Sequence, residues 1–189
     1  MPKQVDHAAR REELAAALWR VVMRDGIEAA SIRRVAAEAR WSSGSLRHYF
    51  ATQSELLAFA MELVVRKVRE RVAALPPLEA RREMAELALS EVLPLDNERR
   101  AEMQVWLTLA MQSMVEPHLR IVFTEAHREL RGLCRQMAEL LGSPEPDRDG
   151  ERIHAFIDGL ALHAVAAPDV STPKRLVELM RAELDALYR

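Results

Sequence analysis

Residues 31–50 read SIRRVAAEARWSSGSLRHYF, and their spacing sets two short helices at an angle across a turn. Ser31 can accept hydrogen bonds from the free amides of Arg33 or Arg34, and Ile32, Val35, Ala36 and Ala39 follow at helical spacing. The first helix therefore has a start signal and a narrow apolar stripe. Ala36 and Ala37 carry almost no side chain, so a second helix can approach the backbone closely at a steep crossing angle. Trp41 is placed to plug the turn. Ser42 or Ser43 caps the second helix, in which Leu46, Tyr49 and Phe50 share one inward face.

Ser43, Ser45, Arg47 and His48 are left outside. Hydroxyls and amides at a helix start can meet phosphates, and the guanidinium fork of Arg47 matches the O6 and N7 acceptors of guanine in a major groove. A helical hairpin with ordinary solvated polar residues satisfies the same local pattern, so this stretch alone leaves both readings open. Charge distribution adds weight to the first. Residues 1–50 hold nine basic side chains against six acidic ones, a net +3 on a chain whose total is −2, which leaves −5 for the rest. A positive head on a negative body suits a protein that binds nucleic acid with one end only.

The same residues resemble the DNA-binding signature of the TetR family of bacterial regulators: a small hydroxyl residue, an apolar residue, a helix of Ala-x-x-Ala character, then Ser-x-Gly-[Ser/Thr]-Leu-x-x-[Tyr/His]-Phe. Ser31, Ile32, Val35, Ala36, Ala39, Ser42, Gly44, Ser45, Leu46, Tyr49 and Phe50 match it in order, and Ser54, Glu55, Leu56 and Leu57 continue it. The resemblance implies that Arg33, Ser43, Ser45, Arg47 and His48 face DNA, that Tyr49 and Gln53 lie at phosphate, and that Gly44 lets the backbone come close. Three positions depart from the pattern. Arg40 stands where the family has a turn glycine, so the backbone there either avoids positive φ or tolerates it at a cost. Arg47 replaces a tyrosine, and Gln53 a phosphate-binding lysine. The Asp158-Gly159-Leu160 segment, with Pro168 and a proline-capped last helix beyond it, resembles the BetI-like subgroup. It does not bring a choline ligand with it, because a quaternary ammonium wants an aromatic cage and the chain has nine aromatic residues in all.

Alanine, leucine, glutamate and arginine dominate the 189 residues, and almost no run alternates β-branched residues, so the expected fold is all-α. The expected layout is an N-terminal three-helix helix-turn-helix DNA-binding domain over residues 1–51 and a helical ligand-binding and dimerisation domain over residues 52–189. Lys3, Arg10 and Arg11 form a basic arm that either reaches DNA or frays in solvent. The first helix is expected over residues 10–24 and ends at Asp25-Gly26. Thr52 with Glu55 makes a capping box that opens a helix running to about residue 75, stopped by Pro76-Pro77. Starting in the reader and ending in the body, that helix is the expected lever. Further helices are expected over residues 78–93, 97–114, 117–141 and 151–166, and from Thr172-Pro173 onward. Gly142, Pro144, Pro146, Asp147 and Gly150 make residues 142–150 the most loop-like stretch.

The last two helices look over-supplied with apolar residues for a terminal hairpin: Ile153, Phe156, Ile157, Leu160, Ala161 and Ala164 on one, Leu176, Leu179, Met180, Leu184 and Leu187 on the other. The family resemblance implies a homodimer through these helices, whereas the pattern alone points to intrachain core. It also implies an inducer cavity in the middle of the chain, where Met103, Trp106, Met111, Met114, Phe123 and Met137 cluster. Met103, Trp106, Met111, Phe123 and Phe156 are the candidate contacts for an unknown small-molecule effector, with plain core packing as the alternative for each. His154 and Asp158 are one turn apart, and His118, His127 and His163 lie in the same region. No Cys or His set has a recognisable ligand spacing, so solvated or singly hydrogen-bonded histidines are expected, with no metal and no cofactor.

Cys134 is the lone cysteine, which points to a reducing compartment and a small buried hydrophobe. With no apolar signal segment and no stretch long enough to span a bilayer, a cytoplasmic protein without a membrane partner is expected. The sequence holds no Gly-rich phosphate loop, no Gly-x-Ser-x-Gly elbow and no His-Glu-x-x-His pair, so an enzyme is not expected. The expected function is a transcription regulator that binds a double-stranded DNA operator as a dimer and is released by a ligand. The alternative is a ligand-binding or enzymatic helical protein without sequence-specific DNA binding.

Overall fold

The computed structural model describes residues 7–188, and among them the chain is helical without strands. Lys3 lies outside the described residues. Helix α1 (His7–Asp25) leads through a 3₁₀ turn (Ile27–Ala29) to α2 (Ile32–Glu38) and α3 (Ser43–Arg47). The body follows as α4 (Gln53–Ala73), α5 (Arg81–Ser90), α6 (Asn97–Ser113), α7 (Pro117–Leu140), α8 (Pro146–Ala166) and α9 (Pro173–Leu187).

The early helices start where their capping residues stand. Ser31 Oγ accepts from the Arg34 amide at 3.3 Å, Ser42 Oγ from that of Ser45 at 3.0 Å, and Thr52 Oγ1 from that of Glu55 at 3.2 Å. Each such bond stabilises its helix by about 1 kcal/mol. The Thr52 box closes one residue early, because Glu55 Oε2 accepts from the Ala51 amide at 2.7 Å. Helix α2 ends in a Schellman turn, with the Arg40 amide bonded to Ala37 O at 3.1 Å and the Trp41 amide to Ala36 O at 2.8 Å. Arg40 sits there at φ 59°, so the chain tolerates the strained conformation at this non-glycine residue.

Two apolar cores organise the molecule. The first joins Leu14, Leu18 and Val21 of α1 to Val35, Leu46 and Phe50 of the reader, and runs along Leu56, Phe59 and Leu63 of α4 into Val105, Leu109 and Leu119. Reader and body thus share one core across residue 51. The second core lies at the far end, between α5, α7, α8 and α9.

Three expectations are corrected here. Residues 146–150, read as loop, form the first turn of α8, with Pro146 at its start and Asp147 and Asp149 on the favourable end of the helix dipole. Gly150 is a packing residue: a Cβ there would lie 2.7 Å from the Arg135 Cα, so its absence lets α8 close on α7. The apolar residues of the last two helices also point the other way. Ile153, Ile157, Leu160, Ala161, Ala164, Leu176, Met180 and Leu184 are buried inside the chain, and Phe156, Leu179 and Leu187 pack against them. Helix α5 is shorter than expected, beginning at Arg81 rather than residue 78.

Candidate nucleic-acid interface and effector cavity

Helix α3 is pinned by Leu46, which is fully buried, and by Tyr49 packing edge-to-face on Trp41 with ring centroids 5.6 Å apart. Those inward contacts fix what faces out. Arg33, Ser43, Gly44, Ser45, Arg47 and His48 are exposed on the reader, and Tyr49 is half-buried. Among the described residues Arg33, Arg40 and Arg47 make no ion pair, whereas Arg20 and Arg24 of α1 bond Glu38 of α2 at 2.7 and 3.0 Å. The Arg20 and Arg24 bonds hold the Glu38 carboxyl below its ordinary range, so this network braces the reader and leaves the outer arginines available.

The remaining expected contacts divide. Ser45 Oγ shares a 2.8 Å hydrogen bond with Ser42 Oγ, which orients it at the start of α3. Gln53 donates its side-chain amide to the Ala30 carbonyl, tying α4 to the turn after α1. Arg10 stacks over Trp41 at 5.1 Å, and Arg11 pairs with Glu62 at 2.6 Å, so these two arm residues are engaged by the protein itself. Gly44 has only Ser42 Oγ, at 3.8 Å, within reach of an added Cβ, so no intramolecular contact requires glycine there.

In the body, α4, α6, α7 and α8 enclose a cavity of about 510 Å³. Met61, Val65, Val68 and Val72 of α4 line one wall, with Met103, Trp106, Leu130 and Ile157 opposite. Of the five candidate effector contacts, Met103 and Trp106 line this cavity. Met111 is 65% exposed and away from the cavity, Phe123 packs behind Trp106 at a centroid distance of 5.2 Å, and Phe156 packs against the second core. The methionine pattern could not separate these positions, because the residues lie at different heights along α6 and α7.

The cavity's polar wall is mostly self-neutralised. Arg71 donates to both Glu102 oxygens at 2.7 Å and to Glu91 at 2.8 Å. Burial acts to lower the Arg71 pKa, but these carboxylates outweigh it and raise it; burial pushes the Glu102 carboxyl up against the pull of Arg71. Arg69 pairs with Glu129 at 2.7 Å. Asp158 faces His154 instead, with Oδ2 at 3.3 Å from Nε2.

His154 departs from the sequence expectation of a solvated or hydrogen-bonded imidazole. It is 5% exposed, and its Nε2 has no hydrogen-bond partner among the described residues, the 3.3 Å approach to Asp158 being out of line. His127 of α7 stands against it with ring centroids 4.5 Å apart. Burial first, then the neighbouring His154, lowers the His127 pKa from the ordinary imidazole range. Nearby Cys134 is fully buried, and burial with a smaller push from Asp158 raises its thiol to about 12, as expected of an inert apolar cysteine.

A three-helix reader with free arginines, rooted through one long helix in a helical body that holds a cavity, defines a helix-turn-helix DNA-binding regulator with a ligand-binding body. Residues 14–59 match the bacterial regulatory proteins of the tetR family, and residues 81–189 match the C-terminal region of BetI-type transcriptional repressors. The chain belongs to the TetR family of transcriptional regulators. It is 37% identical over 196 residues to the HTH-type transcriptional regulator PksA of Bacillus subtilis (strain 168), covering 99% of this chain and 94% of that one. It is 30% identical over 169 residues to the HTH-type transcriptional regulator BetI of Stenotrophomonas maltophilia (strain R551-3), covering 86% and 84%. The crystal structure of a transcriptional regulator from Rhodococcus sp. Rha1 superposes with a TM-score of 0.82 at 30% identity, covering 94% of this chain and 95% of that one. TetR regulators bind DNA operators and small-molecule effectors, act as dimers and are not enzymes.

Proposed function

We propose that this chain is a ligand-released repressor that works in the cytoplasm, binding an inverted-repeat operator as a homodimer. Residues 1–51 act as the reader and residues 52–189 as the regulatory body. Arg47 reads a base edge or clamps phosphate, with Arg33, Ser43, Ser45 and His48 beside it, Tyr49 and Gln53 at the backbone, and Gly44 at the closest approach. The single observation that carries the regulatory half is the double duty of α4. Its first turns, through Leu56, Leu57 and Phe59, are part of the reader's core, and its later turns line the cavity. An effector wedged against Val65, Val68, Met103 and Trp106 favours a shifted α4, which changes the spacing of the two readers and weakens operator binding.

The dimer face in this reading is the outer side of α8, where Ala155, Gly159, Leu162 and Ala166 recur at helical spacing, together with Ala182 and Ala186 of α9. The face is apolar and low in profile, which suits close packing of two helix pairs across a two-fold axis. The test is selection of genomic fragments by the purified protein. Two half-sites in inverted repeat are expected, and enrichment that is blind to sequence and lost with salt would overturn the reading.

A further inference from the structure

His127 on α7 and His154 and Asp158 on α8 bring one ligand atom each to within 4.8 Å of one another. His154 is buried, and its Nε2 points into this cluster without a hydrogen bond among the described residues. An imidazole nitrogen in that position has lost water and gained no hydrogen bond, with Asp158 Oδ2 3.3 Å away but out of line, a cost of about 1–3 kcal/mol that native folds rarely leave standing without a use. The two rings touch at 4.5 Å without bonding each other, and Asp158 reaches from the cluster to the wall of the cavity. We propose that His127, His154 and Asp158 form a binding site for a divalent transition-metal ion of the zinc class, one ion per protomer.

Two neutral imidazoles and a carboxylate are a donor set that suits zinc, cobalt or nickel, and three protein ligands leave a coordination position free. In a tetrahedral site with metal bonds of 2.0–2.1 Å the ligand atoms lie about 3.3 Å apart. Side-chain rotations of the two histidines and Asp158 close the remaining gap, with both helices already held together at Gly150. With Asp158 in the cavity wall, an effector bound there that carries an oxygen or nitrogen donor can complete the coordination. That last consequence rests on the effector reading of the cavity, whereas ion binding itself does not.

The experiment titrates Zn²⁺ into the chelator-treated, full-length protein against a chromogenic zinc indicator, without DNA or effector. Co²⁺ is then substituted to read coordination from its visible absorption. Equimolar binding is expected, with a Co²⁺ spectrum of tetrahedral or five-coordinate intensity. His127→Gln and Asp158→Asn should each weaken binding by more than the roughly 10- to 100-fold that losing a supporting outer contact costs. His118→Gln should leave it unchanged, and circular dichroism should report unaltered helicity for all three. No equimolar binding, or binding that survives both ligand substitutions or disappears with His118→Gln, overturns the site. Operator selection is measured separately on the chelator-treated protein, so failure of the metal site and failure of the repressor reading are distinguishable.

Discussion

At Arg40 a side chain occupies a backbone conformation that favours glycine. The left-handed conformation costs a non-glycine residue about 1–2 kcal/mol, and the glycine at the equivalent turn of α7, Gly142 at φ 83°, avoids that cost in the same Schellman geometry. Arg40 makes no ion pair among the described residues, so its removal breaks none. Arg40→Gly should raise stability by about 0.5–1 kcal/mol after the extra freedom of glycine in the unfolded chain is deducted, and Arg40→Ala should not. Paired urea melts check this. Gly44 is the mirror case. Nothing in the protein crowds it, so Gly44→Ala should hold or raise stability by about 0.5–1 kcal/mol while costing operator affinity about 1–3 kcal/mol through a Cβ pressed on DNA. Unchanged affinity in a fluorescence anisotropy titration would remove Gly44 from the interface. In the same assay Arg47→Ala should lose about 1–3 kcal/mol of specific binding with the melt unchanged, and relaxed preference at one base would assign it to base reading rather than phosphate. The caps at Ser31 and Thr52 were legible in the sequence because a cap is settled within four residues, and that of α3 was narrowed to Ser42 or Ser43, of which the fold uses Ser42. Position 40 was legible as a choice between two outcomes, and its backbone decides for strain.

Among the elements, α7 and α8 show what local signals miss. Proline, aspartate and glycine over residues 142–150 are loop signals when each is read alone, yet Pro146 opens a helix and Gly150 makes contact with a helix 15 residues earlier in the chain. The Arg135 backbone atoms at 2.7 and 2.9 Å from a Cβ at position 150 cannot swing aside as a flexible side chain would. Gly150→Ala should therefore destabilise by about 1–3 kcal/mol despite the better helix propensity of alanine, and a thermal melt that rises instead would show that α7 and α8 separate freely. The face assignment of α8 and α9 was misread for a related reason. A helix with apolar residues on several sides has two candidate inner faces, and only the position of α5 and α7 decides which one is buried. The histidines were hidden the same way: His127 and His154 are 27 positions apart, so no ligand spacing records their meeting. By contrast the helix α4 itself was legible from its cap and from Pro76-Pro77, both local features.

For the whole molecule the decisive question is how two readers are held at operator spacing. With Ile153, Ile157, Leu176 and Met180 committed to the intrachain core, the proposed dimer meets its second copy through the outer stripe of α8. Leu162 is its one large apolar side chain, 46% exposed, with Ala155, Gly159 and Ala166 giving a neighbouring helix room to approach. Leu162→Asp places a carboxylate on that stripe, where a two-fold axis brings it close to its own copy, and like charges in a desolvated interface repel. The fold of each protomer should survive, since Leu162 belongs to neither core. Light scattering after gel filtration should report a monomer with unchanged helicity. Operator affinity should fall by at least about 100-fold, because the second reader no longer arrives tethered to the first. A variant that stays dimeric and keeps its affinity would move the two-fold axis to another face. A variant that becomes monomeric yet binds the full operator as tightly as before would remove the dimer from the recognition mechanism altogether.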